Sequence, residues 1–395
     1  MSPEQYIEER KRAAGDAYIV ELWANMEDMY HRKLWHELTM TVKKAVDDAK
    51  FCQQESLMAF YDNFLRHFES RISRVYLATI ALTISRKHAS VQECHQFLEH
   101  ICALVSASPA AHGLCLIGIA GLKGRARDEN GKCTELIAMK QLLDQAAASI
   151  SKLKSVTVAH SEYFKASASY YREIGDFTRY LKQALRYMST ISFDDIRPED
   201  RPELAIRLAI AALLSDKIYG FGYLLQHPIM ETLKETKHQW LNDLLNAFSN
   251  GDIQTFDSLK PQWSQQPDLQ SRAAFLEEKI RMLSLLSMAF IGPNNSRELT
   301  FQSVASRVGV DANQAELLIM KAMSRRLIRG RIDQIHKSVR ITWVMPKILN
   351  RREIGDMAEA FKLWCDKAKM VLRSVENEGV VSPPARQQQT IKTSF

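Results

Sequence analysis

The chain lacks any long apolar run: nothing in it approaches the ~18 consecutive apolar residues of a membrane span. Its opening, MSPEQYIEERKRAAGD, is charged and has no apolar h-region, so a secretory signal is not expected. The six cysteines (Cys52, Cys94, Cys102, Cys115, Cys133 and Cys365) include no CxxC and no regular spacing. In a chain of this size they read as reduced, mostly buried thiols of an intracellular protein. Proline is scarce and falls at joints (Pro109, Pro198, Pro202, Pro228, Pro261 and Pro267). No convincing alternating strand precedes Ile328, which leaves the first three-quarters of the chain to helices.

Catalytic signatures are also missing. GIAGLKG (Gly118, Gly121, Gly124) lacks GxGxxG spacing, a preceding strand and the GK[ST] of a phosphate loop. It reads as a helix packed closely on a neighbour. Cys94, His95, His100, Cys102, His112 and Cys115 lie close in sequence, but on a helix they do not converge as zinc ligand pairs do. There is no HExxH, nucleophile elbow or Ser/His/Asp arrangement. QHPIM (His227, Pro228) lacks the second histidine and the distant Ser and Asp of a zinc isopeptidase, and reads as a loop before a helix start. No catalytic residue, metal ligand or cofactor is therefore assigned.

What is present is 395 residues, 46% apolar and 25% charged, enough for two or three domains with a large core. The net charge of +7 is local. From Lys321 to Arg352 there are ten Lys/Arg and one acid, Asp333, while the remainder has 43 basic and 45 acidic residues. A general nucleic-acid coat is thus not expected.

From about Asp16 to Phe290 apolar residues recur at threes and fours, as in Leu22, Met26, Met29, Tyr30 and Leu34, Leu38, Val42, Val46. This predicts helices of roughly 10–20 residues joined by short turns. Two joints resemble each other: YYREIGDFTRYLKQALRYM at Gly175-Asp176 and LLNAFSNGDIQTFDSLKPQW at Gly251-Asp252. Glycine accepts the left-handed conformation that closes a helix, and aspartate caps the next one. Each joint makes an antiparallel helix hairpin, and stacked hairpins make a solenoid. Two unrelated helix turns are the plainer reading.

LTFQSVASRVGVDANQAELLIMKAMSRRLIRGRIDQIHKSVRITWV changes character. Thr300 caps a short helix ended by Gly309, and Asp311 caps a second, Asn313 to Arg326. LIRGRIDQI and SVRITWV then form a hairpin, with Val339, Ile341 and Trp343 alternating with Arg340 and Thr342. Two helices and a hairpin make a winged helix. After Pro346 a last helix, about Asn350 to Val375, carries Ile354, Met357, Phe361, Trp364, Ala368, Val371 and Val375 at alternating threes and fours. About 26 residues span roughly 39 Å, against ~26 Å for a winged helix of about 55 residues. The helix overhangs its domain, so its stripe is expected either to meet partner helices or to fold back along the solenoid. The polar segment after Glu376 reads as a disordered tail.

A basic wing on a winged helix suggests DNA. Against this, Leu317, Leu318, Ile319 and Met320 are consecutive in the second helix, which implies burial all round rather than a base-reading face. Glu316 has the wrong sign for phosphates. Arg329, Arg331 and Arg340 are therefore not expected to read DNA, and the strand edge Val339–Trp343 is expected to meet a neighbouring subunit.

A helical solenoid closed by a winged helix and one long helix resembles the PCI family, shared by the proteasome lid, the signalosome and a translation initiation factor. YHRKLWHELTMTV (Tyr30–Val42), FGYLLQHPIMETLKETKHQWLNDLLNAFSNGDIQTFDSLKPQWSQQPDL (Phe221–Leu269), ELTFQSVASRVGVDANQAELLIMKAMSRRLI (Glu298–Ile328) and VRITWVMPKIL (Val339–Leu349) resemble the proteasome lid members most. The resemblance covers about Leu22 to Leu372. It implies a non-catalytic scaffold of the 26S proteasome lid, in cytoplasm and nucleus, acting in ubiquitin-dependent degradation. The implied partners are other PCI-type lid subunits, met through winged helix and C-terminal helix, and the lid's deubiquitinase module. Membrane is not implied, nor is a cofactor. The alternative is a PCI subunit of a transcription or mRNA-export complex with its basic wing on nucleic acid.

The expected fold is an all-α helical-repeat solenoid of antiparallel helix pairs, then a winged-helix (PCI) domain and a long C-terminal helix. The expected divisions are an N-terminal extension 1–20, helical repeats 21–176, a PCI domain 177–347 (helical part 177–290, winged helix 297–346), a bundle helix 350–375 and a tail 376–395. Interface candidates are the seven stripe residues with Val339, Ile341 and Trp343; Gly175, Asp176, Gly251 and Asp252 are structural turns.

Overall fold

The computed structural model describes residues 3–127, 133–234, 236–291, 298–349 and 351–379. Its contacts divide into two units, one of Met1–Ile218, Pro228–Ala247 and Ile253–Ile280, the other of Tyr219–His227, Phe248–Asp252 and the chain from Arg281 onward.

The first unit is a stack of helices that pack on their sequence neighbours. Pro3–Ala13 lies on Ala17–His31, that helix on Trp35–Asp47, and Trp35–Asp47 on Arg74–Lys87. Arg74–Lys87 and Val91–Val105 both pack on Pro109–Lys123, which packs in turn on Leu136–Ile150 and Val158–Ile174. Val158–Ile174, Phe177–Thr190 and Asp200–Leu214 continue the series. Burial against nearest neighbours alone is the signature of a helical-repeat solenoid.

The stack begins earlier than the periodicity indicated. Pro3–Ala13 is helical, with Tyr6 and Ile7 buried and the Tyr6 ring edge-on to Trp23 at 6.0 Å. PEQYIEERKRA carries only two large apolar residues, too few to show a 3.6 period. Trp23 is the centre of this end: Phe51 and Phe60 lie 5.5 Å from its ring and Phe64 6.3 Å. Edge-on aromatic contacts of this kind add to simple area burial.

Within Pro109–Lys123 a Cβ on Gly118 would stand 2.9 Å from Leu98 Cδ1 and 3.0 Å from Leu82 Cδ1, so the missing side chain is what lets three helices meet. Gly175 adopts φ +80° and closes Val158–Ile174, and the Asp176 carboxylate accepts from the Arg179 N–H at 3.0 Å. Gly251 adopts φ +70°. Beyond Gly251 the chain forms the short pieces Ile253–Ser258, Lys260–Trp263 and Pro267–Gln270, with the prolines expected at joints between them. Pro261 and Pro267 sit in the first turns of the latter two, where a missing N–H is tolerated, and each bars the helix before it from continuing.

A lysine closes this unit. Lys279, on Ala273–Ile291, is fully buried, and its Nζ donates to the carbonyls of Ala212 and Leu213 at 2.9 Å and of Ser215 at 2.7 Å. Those carbonyls end Asp200–Leu214, where a helix has no N–H of its own to offer and carries its negative pole.

In the second unit the sheet has three strands in the order β1-β3-β2: β1 Glu298–Thr300, β2 Ile328–Asp333 and β3 Ser338–Val344. Only β2 and β3 were expected; β1 is three residues long, too short to show alternation. It places Leu299 opposite Val339. Thr300 caps Phe301–Val308 by accepting from the Ser303 N–H at 3.2 Å, and Gly309 at φ +70° ends that helix. Asp311 stands at the N-cap of Ala312–Ser324 but makes no side-chain capping bond.

Two fold changes test these devices. Gly175→Ala meets open space and carries only the left-handed backbone strain, about 1 kcal/mol. At Gly251 a Cβ would also lie 2.6 Å from Ser284 Cα and 2.7 Å from the Leu283 oxygen, backbone atoms that no rotamer change moves. Gly251→Ala is therefore expected to lose about 1–3 kcal/mol more than Gly175→Ala in urea unfolding; equal losses would contradict the close approach. Lys279→Met removes three donors from buried carbonyls and is expected to cost roughly 3 kcal/mol. A loss below about 1 kcal/mol would mean that the carbonyls find other partners.

Candidate assembly interface

The terminal helix, Arg351–Gly379, has 29 residues and is roughly 43 Å long at 1.5 Å per residue. It runs four residues past the expected end at Val375; the tail expected to be disordered lies outside the described residues from 380. The second unit holds this helix at its base. Ile348 fits against Gly222, where a Cβ would approach Ile348 Cβ to 2.5 Å. Gln226 Nε2 donates to the Leu349 carbonyl at 3.4 Å, and Lys347 pairs with Glu353 at 2.8 Å while lying 3.5 Å from Asn250 Oδ1.

Past this base every described side chain from Ile354 to Glu376 is exposed. Phe361 is 57% and Trp364 67% exposed, and Ile354, Met357, Ala368, Val371 and Val375 are open beside them. Three further apolar residues, Leu363, Met370 and Leu372, are exposed on the same helix. At 100° per residue Leu363 and Met370 stand roughly 120–140° around from the centre of the stripe. The helix thus has two apolar sides, which one partner helix cannot cover. The seven-residue interval between Leu363 and Met370 was the available signal, hidden by the stronger stripe.

The wing departs from expectation in two ways. β3 is the central strand, paired with β1 at Ser338–Arg340 and with β2 along its length. Val339 and Ile341 are buried in the domain's own core, so neither forms an interaction surface, and Val339–Arg340 is paired on both sides rather than lying at an open edge. Trp343 alone of the three is exposed, with the Arg329 guanidinium 4.9 Å above its ring. The second helix is buried on one side only: Leu318 and Ile319 face the core, while Leu317 is 58% and Met320 51% exposed. Four consecutive helical residues span about 300°, more than one core can cover. The expected burial all round is corrected, and Leu317 and Met320 become surface residues.

Much of the wing's charge is engaged locally. Arg340 pairs with Glu298 across β1 and β3, Arg325 donates to the Tyr219 hydroxyl, and Gln334 reaches Glu316 at 2.6 Å. The hydrogen bond from His336, reinforced by backbone N–H groups, holds the Asp333 carboxyl below the ordinary aspartate range.

Among the described residues no group of three or more His, Cys, Asp or Glu stands where it could hold a metal ion. The described cysteines are free thiols; burial pushes Cys115 up to about 12 and raises Cys94 and Cys102, the reverse of what a reactive thiolate needs. No helix among the described residues is long and apolar enough to cross a membrane.

Comparison with known proteins fits this geometry. A family model described as PSD13 N-terminal repeats matches residues 22–245, and the PCI domain model matches residues 242–343. The chain is 32% identical to 26S proteasome non-ATPase regulatory subunit 13 of Dictyostelium discoideum, over 96% of this chain and 98% of that protein. It is 33% identical to the probable 26S proteasome regulatory subunit rpn9 of Schizosaccharomyces pombe, over 90% and 91%. With 26S proteasome regulatory subunit RPN9 of Saccharomyces cerevisiae the identity is 30%, over 93% and 95%. Repeats, winged helix and near full-length similarity agree, and the chain belongs to the family of 26S proteasome non-ATPase regulatory subunit 13, with its N-terminal repeats and PCI domain.

Proposed function

We propose that this protein is a non-catalytic structural subunit of the 26S proteasome regulatory particle, seated in its lid and serving ubiquitin-dependent degradation in cytoplasm and nucleus. The observation that carries the reading is the terminal helix, fixed at its base and uncovered on two apolar sides over the rest of its described length. Such a helix is stable in water only when other helices cover it. Its partners are other PCI-type lid subunits, which contribute helices to a shared bundle. The exposed Leu317, Met320 and Trp343 give the winged helix a second contact surface. The lid's deubiquitinase module supplies the chemistry that this chain lacks.

Phe361 and Trp364 are the anchors, since large aromatics at the centre of an interface dominate its energetics. Replacing both with Ala is expected to weaken association by several kcal/mol and to block incorporation into the lid. The melting temperature of the isolated chain should stay unchanged, because neither side chain touches its core. Lost incorporation with an unchanged melt supports the bundle; a collapsed melt would mean that the helix folds back on its own chain.

The nucleic-acid alternative makes a separate claim on Arg329, Arg331 and Arg340. Random duplex DNA titrated at physiological salt should bind weakly at most and release as salt rises. Sequence-selective binding at nanomolar affinity would reject the scaffold reading of this domain.

A further inference from the structure

The first unit holds a cavity of about 270 Å³ beside the helix Pro109–Lys123. Five cationic side chains line it, Arg86, Arg125, Arg127, Lys165 and Arg172, against one carboxylate, Glu173. They come from separate parts of the solenoid, so the fold rather than the sequence gathers them. Arg125 is fixed in place by donating to the Ser85 carbonyl at 3.1 Å and the Arg86 carbonyl at 2.7 Å. Glu173 is shared, lying 3.2 Å from Arg127 and 3.5 Å from Arg172. Arg86 turns to Glu162, which does not line the cavity. Lys165 makes no ion pair within 4.0 Å among the described residues. With Arg86 paired to Glu162 and Arg127 and Arg172 sharing Glu173, the described lining still holds more cations than carboxylates, with Arg125 and Lys165 in no ion pair among those the described residues show.

The glycines of GIAGLKG form one wall: Gly118, Gly121 and Gly124 all line the cavity. Gly118 is explained by the Leu82 and Leu98 side chains packed against it. Gly121 is not. Its backbone is ordinary helix, a Cβ there would meet nothing within 4 Å, and a helical glycine costs about 1 kcal/mol relative to alanine. Its bare, exposed backbone borders the cavity.

We propose that this cavity binds a small, multivalent phosphate-bearing anion. Arginine forks match phosphate oxygens in geometry, and a single carboxylate would neutralise only a fraction of the surplus charge. The cations surround a concavity at the small end of ligand-pocket volumes rather than tracking along a face, which suits a compact ligand and not a nucleic acid. Surrounding protein and the neighbouring Arg86 push the Lys165 ammonium below the ordinary lysine range, only partly offset by Glu162, so a bound anion would relieve an existing repulsion.

Isothermal titration of the full chain with inorganic pyrophosphate, at low and at physiological salt, tests this. Saturable one-to-one binding is expected, tighter than for inorganic orthophosphate and weakening with salt. Lys165→Gln should weaken it at least tenfold, and so should Gly121→Leu, which fills the cavity without touching a charge. Arg331→Gln, in strand β2 and not among the cavity's lining residues, should leave it unchanged. No pyrophosphate binding at millimolar concentration overturns the proposal, as does equal weakening by Arg331→Gln. Retained affinity in Lys165→Gln does the same, even if Gly121→Leu fails to fold. Orthophosphate binding as tightly as pyrophosphate refutes the multivalent ligand, and tighter binding of a phosphoserine peptide makes the cavity a protein-docking site instead.

Discussion

A single buried ammonium holds the solenoid's last long helices in register. Lys279 has three N–H donors, and three carbonyls from the end of Asp200–Leu214 take them. The contact joins helices more than sixty residues apart in sequence; between them lie the helix Gln239–Asn250 and, after Gly251, short pieces of helix set off by Pro261 and Pro267. Short pieces of four to six residues bury too little to fix their own orientation. They lie between Gln239–Asn250 and Ala273–Ile291, and the second of these is tied to the end of Asp200–Leu214 by a lysine that satisfies a helix terminus away from water. Burying a charge is unfavourable unless every donor is used. Here the geometry uses all three, so the same desolvation that would penalise an unpaired lysine makes this arrangement specific.

The periodicity of the sequence was sufficient wherever a helix had one dry side and one wet side. Leu38, Val42 and Val46 are buried at the spacing that predicted them, whereas Leu34 of the same run stands before the helix at its N-cap and is exposed; Gly175 and Gly309 end helices with φ of +80° and +70°. Legibility failed where the signal was too short or the context decided. Three residues of β1 show no alternation, and two apolar residues in Pro3–Ala13 show no period. The run Leu317–Met320 is apolar without interruption, and only the presence of a core on one side and none on the other separates Leu318 from Leu317. Val339 and Ile341 carried the right alternation for a strand but gave no sign of whether that strand lay at the edge or the centre; the pairing of β1 decides it. The domain boundary drawn at Gly175-Asp176 rests on a turn that differs little from Gly251-Asp252, and the N-terminal repeat model runs through it to residue 245.

The terminal helix was readable as a helix with an apolar stripe because its pattern answers to no neighbour among the described residues. Core helices are apolar where their own chain covers them, and the cover is part of the same sequence. From Ile354 to Glu376 the stripe is left uncovered by the described residues, and this is the observation on which the proposed helix bundle rests. The stripe is long enough to show its period in sequence; Leu363 and Met370, both exposed, form a second apolar side too sparse to show one.

Charge tells the opposite story. The densest basic run, Lys321 to Arg352, draws the eye toward nucleic acid, yet Arg340 is spent on Glu298, Lys347 on Glu353, Arg325 on Tyr219 and Arg329 on the ring of Trp343. Arg86, Arg125, Arg127, Lys165 and Arg172 are spread over nearly ninety residues, and the solenoid brings them around one cavity with Glu173 as the one carboxylate among its described lining residues and Glu162 paired to Arg86 beside it. Adjacency along a chain measures how many charges enter a region; the field at a site depends on how many remain unneutralised and how far apart they stand. In an array of stacked helices, side chains one or two repeats apart are neighbours in space, so clusters of function form at intervals set by the repeat and not by the run. Basic segments mark the wing. The repeat geometry marks the cavity, with the bare backbone of Gly121 at its border.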